Sequence, residues 1–264
     1  MKIAIIGAGN LGGSIARGLS KGEMFKSSDI ICTSNEQPVL DRLHEENPEW
    51  DVMMDNCAAV RKADIVLLSV KPWLIGPIIQ EIKPALDYSR QILISAAAGV
   101  TLDELRNFLL KNGEYKLPTF FRVIPNTAVS VRSSMTFICT KEATPEQTAL
   151  VERLFNELGT AMVIDERLMS AATALASCGI AYALRYIRAS IEGGVEMGFY
   201  PAQAQEIVIR TVRGATELLL ANKSNPEQEI DKVTTPGGIT IKGLNEMAMS
   251  GFTSSVIRGL KAGL

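Results

Sequence analysis

The segment whose residues are best suited to chemistry lies near the end of the chain, at residues 233–245. Pro236 cannot continue a helix, and the next residues, Gly237 and Gly238, let the backbone come close to a bound group. Thr240 then supplies a hydroxyl at the first turn of a helix that the apolar pattern predicts. A helix N-terminus carries unpaired N–H groups and a partial positive charge, so this pattern predicts a site for a carboxylate or a phosphate. The alternative is an ordinary Pro-Gly turn before a helix.

A second glycine-rich motif lies near the start of the chain. Gly7, Gly9 and Gly12 form a G-x-G-x-x-G pattern directly after an apolar strand and before a helix. The first glycine permits a tight turn, the second lets the backbone approach a pyrophosphate, and the third allows close helix–strand packing. Dinucleotide binding by these glycines, with Asn10 and Leu11 between them, is therefore predicted. Two anion sites so far apart in the chain suggest two ligands brought face to face.

The end of the second predicted strand bears on the choice of cofactor. Sites that prefer NAD usually carry Asp or Glu there, to hold the ribose hydroxyls. This chain has Thr33, Ser34 and Asn35 at that place. Since no carboxylate at the strand end repels a 2′-phosphate, NADPH is predicted as the favoured cofactor. NADH stays possible, because no arginine is present to hold the phosphate and Glu36 is close in sequence.

Two further segments follow predicted strands at the same edge of the sheet. Val70, Lys71 and Pro72 follow the fourth strand, and Ala97-Ala98-Gly99 follows the fifth. Ligands of open α/β sheets bind outside the carboxyl ends of the strands, so these residues are predicted to lie along the cofactor, with the small side chains leaving room for a nicotinamide ring. Tight helix packing explains the alanines nearly as well.

The only histidine in the chain, His44, lies among charged residues on a predicted solvated helix face. This count disfavours a Ser-His-Asp hydrolase, a histidine-rich metal site and a dehydrogenase with a histidine proton relay; no metal ligands are predicted. The chain has 27 basic and 29 acidic residues, so its charge favours neither a nucleic acid nor a membrane surface. The four cysteines form no Cys-x-x-Cys pair and are expected to be reduced and buried, in a cytoplasmic protein. No segment is expected to reach the roughly 18 apolar residues that span a bilayer.

The pattern of elements predicts two domains. Residues 1–164 alternate short apolar strands with helical patterns, which is typical of a doubly wound, Rossmann-type parallel α/β sheet. Residues 165–264 predict an all-α domain with helices at Ala171–Met197, Pro201–Ala221 and Ile239–Leu264, the first of them weakened at Gly193-Gly194. The predicted strands are Lys2–Ile6, Asp29–Thr33, Val52–Met54, Ile65–Val70, Gln91–Ser95, Phe120–Ile124, Thr136–Cys139 and Ala161–Val163.

The helical segment is rich in small residues and poor in charge, so it is not expected to cover its own apolar faces. A homodimer formed through these helices would bury them, and a higher oligomer of such dimers is compatible with the same surface. A monomer whose helices pack only on the first domain is the alternative.

Taken together, these motifs resemble the pyrroline-5-carboxylate reductase family. The resemblance includes Val70-Lys-Pro72, Ala97-Ala-Gly-Val-Thr101, Arg122-Val-Ile-Pro-Asn-Thr127 and, most specifically, Thr234-Thr-Pro-Gly-Gly-Ile-Thr-Ile-Lys-Gly-Leu244. It implies a Rossmann domain followed by a helical dimerisation domain. It also implies that NAD(P)H donates a hydride to Δ1-pyrroline-5-carboxylate, which gives L-proline in the last step of proline biosynthesis.

The resemblance also implies roles for individual residues. Ser34 and Asn56 match positions near the adenosine ribose and its phosphate, and Ala97 matches a position beside the nicotinamide. Thr235, Gly238 and Thr240 match the loop that holds the substrate's carboxylate and ring nitrogen; the same loop contains Gly237 and Ile239.

The chain departs from the family pattern at one place. Where the family usually has Ser-Gly-Ser-Gly-Pro-Ala-Tyr, this chain has Ala176-Ser-Cys-Gly-Ile-Ala-Tyr182. The missing proline and the altered serine fall in the first predicted helix of the second domain, near the expected substrate pocket.

A cyclic imine substrate accounts for the scarcity of histidine. Its nitrogen takes a proton near neutral pH, so hydride addition needs no strong acid from the protein, and Thr240 is the candidate to bond that nitrogen. One alternative is a related hydroxyacid or imine reductase, with Lys71 or Lys242 as proton donor. The other is a binding protein that keeps the cofactor fold but has lost catalysis.

Overall fold

The chain forms two compact units. The structure, a computed structural model, describes residues 1–111 and 116–264. The first unit comprises Met1–Ser177 and the second Cys178–Leu264. The boundary predicted after residue 164 thus lies inside the first unit, which also includes the short segment that leads into the helices.

Within the described residues, the first unit contains one eight-stranded sheet. All eight predicted strands are present, with ends shifted by a few residues. Their bounds are β1 Ile3–Ile6, β2 Ile30–Thr33, β3 Asp51–Met53, β4 Ile65–Leu68, β5 Ile92–Ser95, β6 Thr119–Ile124, β7 Ser134–Cys139 and β8 Gly159–Val163. The helices of this unit are α1 Asn10–Leu19, α2 Gln37–Glu46, α3 Asn56–Lys62, α4 Ile75–Ile82, α5 Leu102–Leu109, α6 Pro145–Asn156 and α7 Met169–Ala172.

The strand order places a switch point between β1 and β4. The order is β3-β2-β1-β4-β5-β6-β7-β8, so β1 has a parallel neighbour on each side. From β1 the chain builds outward through β2 and β3, and it then returns to the other side of β1 at β4. A crevice opens at such a point, outside the carboxyl ends of the strands. The predicted Rossmann-type architecture is confirmed.

One strand pair departs from the predicted parallel sheet. β6 and β7 are antiparallel, with Val123 opposite Ile138. Their connection holds only a short 3-10 turn, Thr127–Val131. A parallel return requires a crossover of about a dozen or more residues, usually a helix, and this connection is too short for one.

The sheet is covered on both faces by apolar side chains. Along β1, Ile5 belongs to one buried cluster and Ile6 to the other, because successive side chains of a strand point to opposite faces. α1 and α6 contribute to the first cluster, and α3, α4 and α5 to the second. Burial on both faces explains why these strands are continuous apolar runs.

The second unit is helical, as predicted, but has more breaks than expected. Its helices are α8 Gly179–Glu196, α9 Pro201–Asn222, α10 Pro226–Lys232, α11 Ile239–Met249 and α12 Phe252–Lys261. The single predicted helix Ile239–Leu264 is wrong, because Gly251 has a φ of 79° and ends α11 before α12 begins. The helix α10 was not predicted.

The Gly193-Gly194 pair does not break α8. A Cβ at Gly194 would lie 3.0 Å from the Cβ of Ala204 in α9. The small residues therefore allow the two helices to pack closely.

The cysteine prediction is only half right. All four cysteines are free; Cys32 and Cys139 are buried, whereas Cys57 and Cys178 are half-buried. Burial raises the pKa of the Cys32 and Cys139 thiols to about 12, so these two thiols are protonated at neutral pH.

The expectation that no segment is long and apolar enough to span a bilayer is wrong. Among the described residues, the helical stretch Glu166–Glu196 is long and apolar enough to cross a bilayer. An apolar helix that packs against other helices passes the same test.

Candidate active site

The turn after β1 is held by the end of β2. The backbone N–H groups of Gly7 and Ala8 both donate to the carbonyl oxygen of Thr33, at 3.1 and 2.7 Å. Gly7 has a φ of 85°, and a Cβ there would lie 2.5 Å from a side-chain methyl of Val70. Only glycine fits this position, because both the left-handed backbone and the contact with Val70 exclude a side chain.

Gly9 and Gly12 have opposite surroundings. A Cβ at Gly12 would lie 2.5 Å from the carbonyl oxygen of Gly7, whereas a Cβ at Gly9 would meet no protein atom within 4 Å. Gly9 is also the N-cap of α1, and no side chain caps that helix end. The N–H groups of the first turn, including those of Asn10 and Leu11, therefore face a space that the protein leaves open. This arrangement fits a dinucleotide pyrophosphate.

The end of β2 carries a chain of hydrogen bonds. The Thr33 hydroxyl donates to Asn56 Oδ1 at 2.7 Å, and Asn56 Nδ2 lies 3.1 and 3.3 Å from the two carboxylate oxygens of Glu81. Ser34 Oγ accepts from the backbone N–H of Glu36 at 3.1 Å. Asn56 is thus brought to the end of β2. Glu81 was missed, and no sequence signal marks it, because it lies on the helix α4, 25 residues from Asn56 in the chain.

The segments after β4 and β5 reach the same edge of the sheet. Val70 packs on the glycine turn, and Lys71 precedes the 3-10 turn that begins at Pro72. Ala97 is buried, Ala98 is exposed, and Gly99 has a φ of 82° with open space where a Cβ would stand. The predicted cofactor residues after β1, β2, β4 and β5 therefore share the carboxyl edge of the sheet.

An ion pair between the buried Arg122 and the half-buried Glu166 supports the loop after β5. The Glu166 Oε1 atom accepts a hydrogen bond from the backbone N–H of Leu102, at 2.6 Å, and lies 3.3 Å from Arg122 Nη1. The Arg122 side chain is only 7% exposed, and its Nε has no hydrogen-bond partner among the described residues. Glu166 thus fixes the start of α5, three residues after Gly99. A charged residue inside the apolar run of β6 was the available sequence signal.

In the second unit, the predicted anion loop is a tight turn. The backbone N–H of Gly238 donates to the carbonyl oxygen of Thr235 at 3.0 Å, and Gly237 has a φ of 71°. Pro236 at the second position and a left-handed glycine at the third are typical of a type II turn. A Cβ at Gly238 would lie 2.6 Å from the Thr235 hydroxyl oxygen, so the turn requires both glycines.

The turn leads into a free helix end. Gly238 is the N-cap of α11, no side chain caps this end, and Ile239 is 87% exposed. Among the described residues, the Thr240 hydroxyl has no hydrogen-bond partner. The first turn of α11 therefore offers unpaired N–H groups and a free hydroxyl side by side, which suits a small carboxylate with an adjacent polar atom.

The segment that departs from the family pattern contains a π-helical turn, Thr173–Ser177. Ser177 Oγ donates to the carbonyl oxygen of Pro125 at 3.1 Å, which ties this turn to the end of β6. Cys178 follows as the N-cap of α8, and the Tyr182 hydroxyl donates to the carbonyl oxygen of Gly259 at 3.4 Å. π turns are frequent at functional sites, and this one ends at Ser177, the last residue of the first unit.

Known proteins resemble the chain over almost its whole length. The family model for pyrroline-5-carboxylate reductase dimerisation matches residues 166–264, and one described as NADP oxidoreductase, coenzyme F420-dependent, matches residues 2–99. Pyrroline-5-carboxylate reductase 2 of Dictyostelium discoideum is 36% identical over 271 residues, which cover 98% of this chain and 89% of that protein. The chain belongs to the pyrroline-5-carboxylate reductase family. It is an NAD(P)H-dependent oxidoreductase, which confirms the predicted class.

Two further relatives extend the comparison. Pyrroline-5-carboxylate reductase 1 of the same organism is 36% identical over 270 residues, which cover 98% of this chain; the chain spans only 48% of that longer relative. The crystal structure of a Plasmodium falciparum pyrroline carboxylate reductase, with NADP bound, matches with a TM-score of 0.87 at 26% identity. That match covers 100% of this chain and 95% of the other.

Proposed function

We propose that the chain reduces Δ1-pyrroline-5-carboxylate to L-proline with NAD(P)H, and that α11 anchors the substrate. The observation that carries the assignment of the substrate site is the uncapped start of α11, with the free Thr240 hydroxyl beside it. Family membership supplies the reaction, and this helix end supplies the chemistry that a cyclic imino acid needs.

The cofactor's place in this proposal is the carboxyl edge of the sheet. The first turn of α1 would hold the pyrophosphate, and the small residues from Ala97 to Gly99 would leave room for the nicotinamide. Bound NAD(P)H supplies the hydride. The open space at Gly9 and the fixed turn at Gly7 support this placement.

The substrate's place is the turn from Thr235 to Thr240. Its carboxylate would accept hydrogen bonds from the N–H groups of Gly238, Ile239 and Thr240, where the helix dipole favours a negative charge. The Thr240 hydroxyl would then bond the ring nitrogen. Anchoring both ends of a small ring fixes its orientation, and orientation is the main contribution that a protein makes to such a hydride transfer.

No dedicated strong acid is needed in this scheme. The imine nitrogen is protonated near neutral pH, and the product is an amine rather than an alkoxide that must be protonated. The only histidine, His44, is exposed in the last turn of α2. A lysine proton donor at Lys71 or Lys242 is therefore unnecessary.

The assembly is proposed to be a homodimer, or a larger oligomer of such dimers, in the cytoplasm and bound to neither nucleic acid nor membrane. The match to a dimerisation family over residues 166–264 supports self-association. Large apolar side chains of the second unit are strongly exposed in the isolated chain, among them Leu220 at 80% and Met249 at 76%. A second copy would cover such a surface. Light scattering after gel filtration measures the mass directly.

The test of the substrate site uses Thr240 variants and NADPH oxidation followed at the nicotinamide absorbance. Thr240→Ala is expected to lower kcat/KM for pyrroline-5-carboxylate by about one to two decades, because one positioned hydrogen bond is worth about 1–3 kcal/mol. Thr240→Ser keeps the hydroxyl and should retain most of the activity. NADPH affinity should be unchanged in both variants.

Three results would contradict parts of the proposal. Wild-type kcat/KM in Thr240→Ala would remove the role of Thr240. Turnover of hydroxy- or keto-acids in place of the pyrroline would indicate a related reductase. If NADPH were oxidised with none of these substrates, the chain would be a cofactor-binding protein without catalytic activity.

A further inference from the structure

The first unit contains a charged cavity that has no part in the proposed reaction. The cavity measures about 620 Å³ and lies against the turn after α1, the residue that follows the 3-10 turn before β7, and the end of α6. Four charged side chains line it, those of Glu23, Arg132, Arg153 and Glu157. Among the described residues, none that line it belongs to the proposed cofactor or substrate segments. A cavity of this size suits a small organic molecule.

Arg132 is held in a fixed position at the wall of this cavity. Its backbone has a φ of 55°, a left-handed conformation that costs a residue with a side chain free energy. Its Nε donates to the carbonyl oxygen of Glu157 at 2.8 Å, and its Nη1 donates to the carbonyl oxygen of Lys21 at 3.1 Å. Within the part of the chain that the structure describes, Nη2 has no hydrogen-bond partner. Arg132 therefore provides a preorganised cation with a free donor.

A second cation lines the same cavity. Arg153 is exposed on α6, and it forms neither an ion pair nor a side-chain hydrogen bond with any described residue. Arg132 likewise has no carboxylate partner among these residues. Guanidinium groups bind carboxylates through charge-assisted hydrogen bonds, so a carboxylate in the cavity would be stabilised by both arginines.

The cavity also carries negative charge. Glu157 Oε1 accepts hydrogen bonds from the backbone N–H groups of Glu23 and Met24, each at 2.7 Å, whereas Glu157 Oε2 has no partner among the described residues. Oε2 is closed off by Gly22, where a Cβ would lie 2.2 Å from it, so Glu157 acts on the cavity through its charge and not through a direct bond. Glu23 is exposed and forms no ion pair with a described residue. These carboxylates would repel a simple anion and attract a protonated amine.

Met24 adds an apolar surface. It packs on the first apolar cluster and also lines the cavity. Methionine is flexible and polarisable, so it can contact apolar groups of different shapes.

We propose that this cavity is a binding site for a free amino acid with an apolar side chain. The carboxylate of the amino acid pairs with Arg132 and Arg153, its ammonium group lies near Glu23, and its side chain contacts Met24. A ligand with both charges is favoured over a simple anion because the cavity presents charges of both signs. The site is separate from the proposed reductase site and does not depend on it.

The experiment is a calorimetric titration of the full chain with L-leucine, isocaproate and isoamylamine. Isocaproate is L-leucine without the amine, and isoamylamine is L-leucine without the carboxylate. L-leucine is expected to bind, and each analogue should bind at least about tenfold more weakly, because each loses one set of charge-assisted hydrogen bonds.

Arg153→Gln locates the bound amino acid. The variant should weaken the binding of L-leucine by about tenfold and leave Tm unchanged, because the Arg153 side chain has no described partner to lose. The control, Arg42→Gln, removes the same charge from α2, outside the cavity, and should leave the affinity for L-leucine unchanged.

Glu23→Gln tests the sign of the charge beside the amine. It should weaken the binding of L-leucine and tighten that of isocaproate, each by about two- to fivefold, because one exposed carboxylate attracts the amine and repels the anion.

Four results would overturn the proposal. They are no binding of L-leucine by the wild-type chain, wild-type affinity in Arg153→Gln, and an equal loss in Arg42→Gln. The fourth is isocaproate binding as tightly as L-leucine, because the cavity would then be a site for simple anions.

Discussion

Two identical substitutions, at Gly9 and at Gly12, should separate cofactor binding from folding. Both glycines belong to one motif, and both changes add the same side chain. A Cβ at Gly12 would lie 2.5 Å from the carbonyl oxygen of Gly7 and 3.1 Å from a methyl of Ile5. A Cβ at Gly9 would meet no protein atom within 4 Å.

The expected magnitudes follow from these distances. Gly12→Val forces side-chain atoms against backbone that cannot move freely, so overpacking should destabilise the protein by about 1–3 kcal/mol or more. At about 2–4 °C per kcal/mol for a chain of this size, Tm should fall by at least about 2–12 °C. Gly9→Val should leave Tm nearly unchanged.

Cofactor affinity should respond in a different way. Valine at Gly9 occupies the space that a pyrophosphate needs beside the first turn of α1. Losing two hydrogen bonds from N–H groups to a charged phosphate, at about 1.5–3 kcal/mol each, weakens binding by about two to four decades.

The assay combines thermal unfolding of the free protein with fluorescence titration of NADPH. The reasoning would be refuted if Gly9→Val bound NADPH with wild-type affinity, because the open space would then not be the pyrophosphate site. An equal loss of Tm in both variants would also contradict it, because the two glycines would then have the same structural role.

Two further predictions concern stability. Glu166→Ala should destabilise the first unit by about 3–5 kcal/mol, because it leaves the buried Arg122 unpaired and the Leu102 N–H without its acceptor. A decrease of less than about 1 kcal/mol in the free energy of unfolding, measured in urea, would contradict this prediction. The second prediction rests on Glu229 in α10: hydrogen bonds from Lys232 and then from neighbouring side chains lower its pKa from 4.5 to about 2. A carboxyl whose folded pKa is depressed stabilises the fold above its unfolded pKa. The difference in free energy of unfolding between wild type and Glu229→Gln should therefore be largest above about pH 5 and disappear as the pH falls toward 2. A difference that stays constant with pH would show that the charge of Glu229 does not contribute to stability.

Most of the first unit could be predicted because its signals are local. Strands such as β1 and β4 are continuous apolar runs, and burial on both faces of a parallel sheet produces that pattern. The antiparallel β7 was missed, since an apolar run does not indicate the direction of a strand. The break at Gly251 was missed because a single glycine inside a helical pattern is often tolerated.

The two glycine turns, after β1 and before α11, could also be predicted from local signals. Gly7 and Gly237 have φ values of 85° and 71°, so the backbone conformation itself requires glycine, and that requirement is visible in the sequence. In the same way, Pro236 and the glycines after it indicate a turn before a helix.

The sequence by itself determined the fold class, the glycine turn after β1, the Pro-Gly-Gly turn before α11 and the family, because each depends on residues that are neighbours in the chain. Tertiary structure alone decided which side chains meet at the end of β2. Thr33, Asn56 and Glu81 come from three different elements, and they become neighbours only when the strand order places the end of β2 beside α3 and α4. The hydrogen bonds among these three side chains depend on that meeting, because such interactions depend on distance in space and not on separation along the chain.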